Sequence, residues 1–166
     1  MAAGTIVTKI AACEIAIAYQ FSDKLLCATA LHTFQGGIVV RDAFQAIHRN
    51  DRLAVYGDAV AASYLCRKWL DIGLQKSQWD TIRLDVLSNS NLAAVGFVHR
   101  LDRCINLNPG TTTVSSRTMA TTLEAIMGAV HKDGGDSALG QVMAHLGLTH
   151  ELLEVVMFNS PPSVLP

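Results

Sequence analysis

Asn50-Asp51-Arg52-Leu53-Ala54-Val55-Tyr56-Gly57-Asp58 and Thr121-Thr122-Leu123-Glu124-Ala125-Ile126-Met127-Gly128-Ala129-Val130 are the two stretches that decide how this 166-residue chain is read. Both follow the helical rather than the strand period. In the first, Asp51 and Asp58 share one face about two turns apart; in the second, Thr121 and Glu124 stand about one turn apart. Packed side by side, the two helices would bring Asp58 and Glu124 together, and carboxylates on facing helices suit an Mg²⁺ ion presented to a phosphodiester. Asp51 has a plainer reading, since an acid at a helix start is favoured by the macrodipole. Glu124 is harder to dismiss, because it sits in an apolar run where an unpaired carboxylate is costly.

Outward from these stretches the chain reads as helix after helix. Cys13–His32 holds two helices split near Phe21-Ser22-Asp23, with Ile15, Tyr19 and Leu26 approximating an apolar face. Gly36-Gly37 marks a loop. Leu53–Leu70 reads as one long helix, buried through much of its length along Leu53, Tyr56, Val60, Tyr64 and Trp69. Asp80–Leu87 and Asn91–Leu101 follow, joined at Ser88-Asn89-Ser90, which suits a turn and an N-cap. Asn106–Ser116, with its Asn-Pro-Gly and Thr/Ser tract, is the clearest breaker. A second buried helix is expected over 117–132, stopping at Asp133-Gly134-Gly135 with a glycine cap, then Ser137–Leu146 and an amphipathic Thr149–Phe158. The expectation is an all-α domain of seven or eight helices over residues 13–158, with an N-terminal extension (1–12) and a C-terminal tail (159–166). Met127, Met143 and Met157 read as core filler.

Half of the residues are hydrophobic and 16% are charged, which requires a packed core and excludes a disordered chain. The formal net charge of −1 gives no global attraction to nucleic acid or to an anionic membrane, so any RNA contact must come from a local patch. Arg49, Arg52, Arg67, Lys68, Arg100 and Arg103 are the candidate cations. Cys13, Cys27, Cys66 and Cys104 lack zinc spacing and read as reduced, mostly buried thiols, which points to a reducing intracellular compartment, cytoplasmic or mitochondrial. The histidines show no metal spacing, and His32 reads as a structural or helix-end residue. No segment reads as a membrane span or a secretion signal.

The segment Asp51-Arg52-Leu53-Ala54-Val55-Tyr56-Gly57-Asp58-Ala59 resembles the signature of the ribonuclease III family, Glu-Arg-Leu-Glu-Phe-Leu-Gly-Asp-Ala. Ala120–Val130 with Asp133-Gly134-Gly135 is similar to that family's Ala-Asp-Ala-Leu-Glu-Ala-Ile-Ile-Gly-Ala-Val run and its Asp-Gly-Gly end. Glu14–Phe34 resembles the family's opening Tyr-x-Phe-x-Asp-x-x-Leu-Leu pattern, and Leu87–Ala93 resembles its Asn-x-x-Leu-Ala stretch. Four blocks in the right order cover about residues 13–148.

The resemblance implies a divergent ribonuclease III-like endonuclease domain, with no double-stranded RNA-binding domain expected after it. It also implies metal-dependent hydrolysis of double-stranded RNA through Mg²⁺ or Mn²⁺, leaving 5′-phosphomonoesters. Its four metal-ligating acids fall on Ala54, Asp58, Thr121 and Glu124. Two have therefore lost the carboxylate: Ala54 is a lost ligand position, and Thr121 has only a hydroxyl, able to bind through water. Asp58 and Glu124 remain as metal ligands, with Asp51, in place of the family's glutamate, as an assisting catalytic acid. The family dimerises through the signature helix, which puts the interface at Val55 and Tyr56, in a homodimer or a heterodimer. The function expected is an endonuclease acting on double-stranded RNA with a reduced acidic set; the alternatives are an inactive relative that binds RNA or serves as a ribosome-associated structural dimer, and a scaffold that no longer engages RNA.

Overall fold

The computed structural model describes residues 5–40 and 43–154. Its elements are α1 (Ile6–Ile17), α2 (Lys24–Leu31), β1 (Gly36–Val40), β2 (Ala43–Ile47), α3 (Asp51–Ile72), α4 (Lys76–Leu87), α5 (Asn89–Val98) and α6 (Ser116–His145), with 3₁₀ turns at Leu101–Arg103 and Glu151–Leu153. The all-α reading holds, with six α-helices among the described residues rather than seven or eight.

The local chemistry of each boundary is visible. Thr5 caps α1, Asp23 Oδ1 accepts from the Leu25 amide at the start of α2, and Ser88 caps α5 as its position in the sequence suggests. Ser115 caps α6 through the Thr118 amide. At Gly135 (φ 71°, ψ −164°) the backbone leaves helical geometry, but the chain re-enters the helix at once. The expected stop at Asp133-Gly134-Gly135 is thus a kink, and the two helices expected there form α6. Asp133 is held by tertiary partners: its carboxylate accepts from Tyr19 Oη (2.7 Å) and from the amides of Ser22 (2.8 Å) and Asp23 (2.9 Å), tying the kink to the start of α2. Burial works to raise the Asp133 pKa, but these hydrogen bonds outweigh it and hold the group below the usual carboxylate range.

α6 is the central helix, with Leu123, Ile126, Met127, Leu139 and Met143 wholly buried and α2, α3 and α5 packed around it. The α3–α6 crossing is made by small residues. A Cβ on Gly57 would overlap the Glu124 carbonyl, and one on Gly128 would lie 2.6 Å from the Leu53 carbonyl, so the two backbones meet where only glycine fits. This overturns the expected large-residue stripe. Ala54, Gly57, Ala61 and Leu65 form the buried face of α3, while Leu53, Val60, Tyr64 and Trp69 are only partly buried and Tyr56 is exposed. Backbones this close leave no room for large side chains between them, so those splay to the flanks.

Other boundaries also shift. Ile6 and Ile10 are core residues of α1, so the boundary between extension and domain at residue 13 falls inside a helix; Ile15 points outward, 78% exposed. Gly36-Gly37 opens a hairpin instead of a loop, with β1 antiparallel to β2 in the register Gly36↔Ile47 to Val40↔Ala43. Gly37 is required there because a Cβ would collide with the Phe44 ring and lie 2.5 Å from the Gln45 carbonyl. Cys13, Cys27 and Cys104 are buried and none of the four cysteines is disulfide-bonded; Cys66 is half-buried. Met127 and Met143 are core filler, whereas Met157 lies outside the described residues. Of the expected Thr149–Phe158 helix, the described part holds only the turn Glu151–Leu153.

Candidate functional site

The glycine crossing positions the acids. Asp58 follows Gly57 on α3, and Glu124 lies one turn before Gly128 on α6, so the close approach at the two glycines draws both carboxylates to one side of the interface. They line a cleft of about 530 Å³ together with Asp80, Arg83, Leu87 and Asn89 from α4 and α5. Burial, and then the field of the neighbouring Asp58, push the Glu124 pKa up to about 7. The Asp58 side chain, 40% exposed, lies 3.6 Å from the guanidinium of Arg83, which reaches across from α4.

The remaining candidates lie elsewhere. Ala54 is packed into the helix crossing, 3% exposed, and contributes no ligand. Thr121 lines a different cleft with Arg49, Asn50 and Arg117. Asp51 is exposed at the start of α3, where its Oδ1 accepts from the Arg52 amide (2.9 Å). Among the described residues, no three His, Cys, Asp or Glu side chains are placed to hold one metal ion. Asn50, only 2% exposed, does not cap α3; its amide donates to the Ala30 carbonyl (3.0 Å) and the Thr122 hydroxyl (3.3 Å), bracing α3 against α2 and α6.

The candidate cations divide. Arg67 donates to Asp136 (2.8 Å), and Lys68 lies over the Tyr64 ring, whereas Arg49 and Arg52 are exposed and in no ion pair with a described residue. Val55 is 74% exposed on α3, and beside it the Tyr56 hydroxyl pairs with His131 Nδ1 (2.7 Å). His131 Nε2 in turn meets Asp136 (3.0 Å). His32 is structural: it ends α2, is fully buried, and its Nδ1 meets the Asn106 amide nitrogen (3.0 Å). Arg83, Asp80 and Arg117 are the site residues that the sequence reading missed. Each is a single charge in an ordinary polar pattern, and only the packing of α4 and α6 gives it a role.

The ribonuclease III domain family matches residues 51–135, the span from the first residue of α3 to the α6 kink. The chain belongs to the ribonuclease III family. It is 28% identical over 138 residues to ribonuclease 3 of Oleidesulfovibrio alaskensis, covering 78% of this chain and 58% of the relative's length. The fold matches two structures of the nuclease domain of ribonuclease III from Campylobacter jejuni. One, described for structural flexibility in a region involved in dimer formation, has a TM-score of 0.64 at 19% identity and covers 86% of this chain and 97% of that one. The other has a TM-score of 0.58 at 22% identity, covering 84% and 92%.

Ribonuclease III enzymes generally use a divalent metal. The donor set here does not fit a resident one. Of the four positions that carry acids in the family resemblance, one is a buried methyl and one faces another cleft. Of the two carboxylates left, Asp58 already has Arg83 beside it. Two carboxylates, one of them shared with a guanidinium, supply less charge than a four-acid set and weaken the hold on a divalent ion accordingly. Among the described residues no helix is long and apolar enough to cross a membrane.

Proposed function

We propose that this chain is a ribonuclease III-family protein that binds double-stranded RNA without hydrolysing it, as a dimer through the α3 face carrying Val55. The reading is supported by one observation: of the four positions that the resemblance assigns to acids, only Asp58 and Glu124 line the cleft with a carboxylate, and the Arg83 guanidinium stands 3.6 Å from the first. Hydrolysis in this class needs a metal to activate water and stabilise the leaving oxygen, so a site without the ligands loses the reaction while the surrounding surface keeps its shape. The family's duplex-sized surface then serves binding alone. With a net charge of −1, affinity must come from local cations such as Arg49 and Arg52 and must fall steeply with salt.

The test is incubation of long double-stranded RNA with the chain in Mg²⁺ and separately in Mn²⁺, with binding followed in parallel. Salt-sensitive duplex binding without cleavage is the expected result. Cleavage by the native chain, lost in both Asp58→Ala and Glu124→Ala, would instead establish a nuclease working with a reduced acidic set. Neither cleavage nor binding would leave the scaffold reading.

A further inference from the structure

Beside the acidic cleft, around the first turns of α3 and α6, lies a second one of about 330 Å³. Its character is opposite. Its described lining includes Arg49, Arg117, Thr33, Thr118 and Thr121, and no acidic residue. The ion pairs among the described residues are made by Lys24, Arg67, Arg83, His131 and His150, so neither arginine of this cleft is paired with a carboxylate of a described residue. Both are exposed and free to turn toward a ligand.

Thr121 carries the argument further. It stands about one turn, roughly 4.5 Å along the axis, from Glu124 on α6, yet it lines a different cleft. A carboxylate at this position would set a negative charge between the two guanidinium groups and close the cleft to anions. With a neutral hydroxyl there, the two positive charges are unopposed, and hydroxyl groups line the space between them. Guanidinium groups flanking hydroxyl donors match the tetrahedral oxygens of a phosphate, which accept from both.

We propose that the cleft between Arg49 and Arg117 is a phosphate-binding site that seats one backbone phosphate of RNA, with the Thr121 hydroxyl donating to it. The proposal deepens the RNA-binding reading and rests on it for the source of the phosphate. The neutral hydroxyl at position 121 thus leaves this cleft open to the substrate's charge.

The experiment is fluorescence anisotropy with a short blunt RNA duplex across about 50–200 mM salt, on the native chain and on Arg49→Gln, Arg117→Gln, Thr121→Asp and Arg67→Gln. Alongside it, the native chain is titrated with inorganic phosphate and followed by amide NMR. Each cleft arginine variant is expected to lower the slope of log K against log salt by about one, and Arg67→Gln to leave it unchanged. Thr121→Asp is expected to weaken RNA binding about tenfold by placing like charge against the phosphate. Phosphate is expected to shift the amides of Arg117 and Thr121. If the duplex does not bind at all but phosphate shifts those amides, the site stands and the RNA reading falls. Duplex binding with unchanged slopes, or a Thr121→Asp variant that binds RNA more tightly in Mg²⁺, would overturn the site.

Discussion

Glu124 is held by the fold against its own preference, and replacing it with glutamine should release that penalty. A carboxyl whose folded pKa, about 7, lies above its ordinary 4.5 binds more protons in the folded than in the unfolded state. Stability therefore falls as pH rises through the window from 4.5 to about 7 and stays low above it. The rise from 4.5 to about 7 corresponds to at most ~3.4 kcal/mol at alkaline pH. Glu124 is only part-buried and faces a cleft, so solvent screening reduces this to about 1–2 kcal/mol. Glu124→Gln keeps the shape and removes the charge; for a chain of this length it should raise the melting temperature by roughly 2–8 °C at pH 8. At pH 4, where the carboxyl is mostly protonated in the folded and the unfolded chain alike, the two proteins should differ by less than about 0.5 kcal/mol. The assay is calorimetric melting of both proteins at the two pH values, and the quantity that matters is the difference of differences, in which all other titrating groups cancel. A variant no more stable than the parent at pH 8, or equally stabilised at pH 4 and pH 8, would refute the claim that the surrounding packing and Asp58 press on Glu124.

Gly57→Ala should cost about 3 kcal/mol or more, because its methyl would overlap the Glu124 carbonyl and force α3 off α6; loss of the cooperative melt or a large fall in midpoint denaturant checks it. Asp133→Ala removes three hydrogen bonds at the α6 kink, two of them from backbone amides, and is expected to cost about 2–3 kcal/mol at pH 7. Since Asp133 is held below its ordinary pKa, its contribution is present above about pH 4 and is lost as pH falls through the folded pKa; parent and variant melts should converge in acid. Arg67→Ala breaks an exposed pair with Asp136 and should leave the urea midpoint essentially where it is in the parent.

Much of the fold was legible in the sequence because helices are local objects. The helix split near Phe21-Ser22-Asp23, the cap at Ser88 and the breaker after Asn106 act over three or four neighbours, and each was found where the sequence put it. The hairpin was not legible, because Gly36-Gly37 signals a turn unless Phe44 is known to lie across it. The buried stripe of α3 was misassigned for a related reason. Hydrophobic size predicts burial only when the partner leaves room, and here α6 approaches so closely that alanine and glycine go inside.

The sequence by itself determined that Asp58 and Glu124 sit on two helices of a ribonuclease III-family domain, and that no carboxylate stands at Ala54 or Thr121 on the same helices, since residue identity and helical spacing are local. Only the tertiary structure decided that Arg83 of α4 lies against Asp58, that Thr121 turns into a separate cleft with Arg49 and Arg117, and that two glycines bring the acids together. Those are meetings of residues from different helices, and no periodicity along one helix encodes which face of another it will meet.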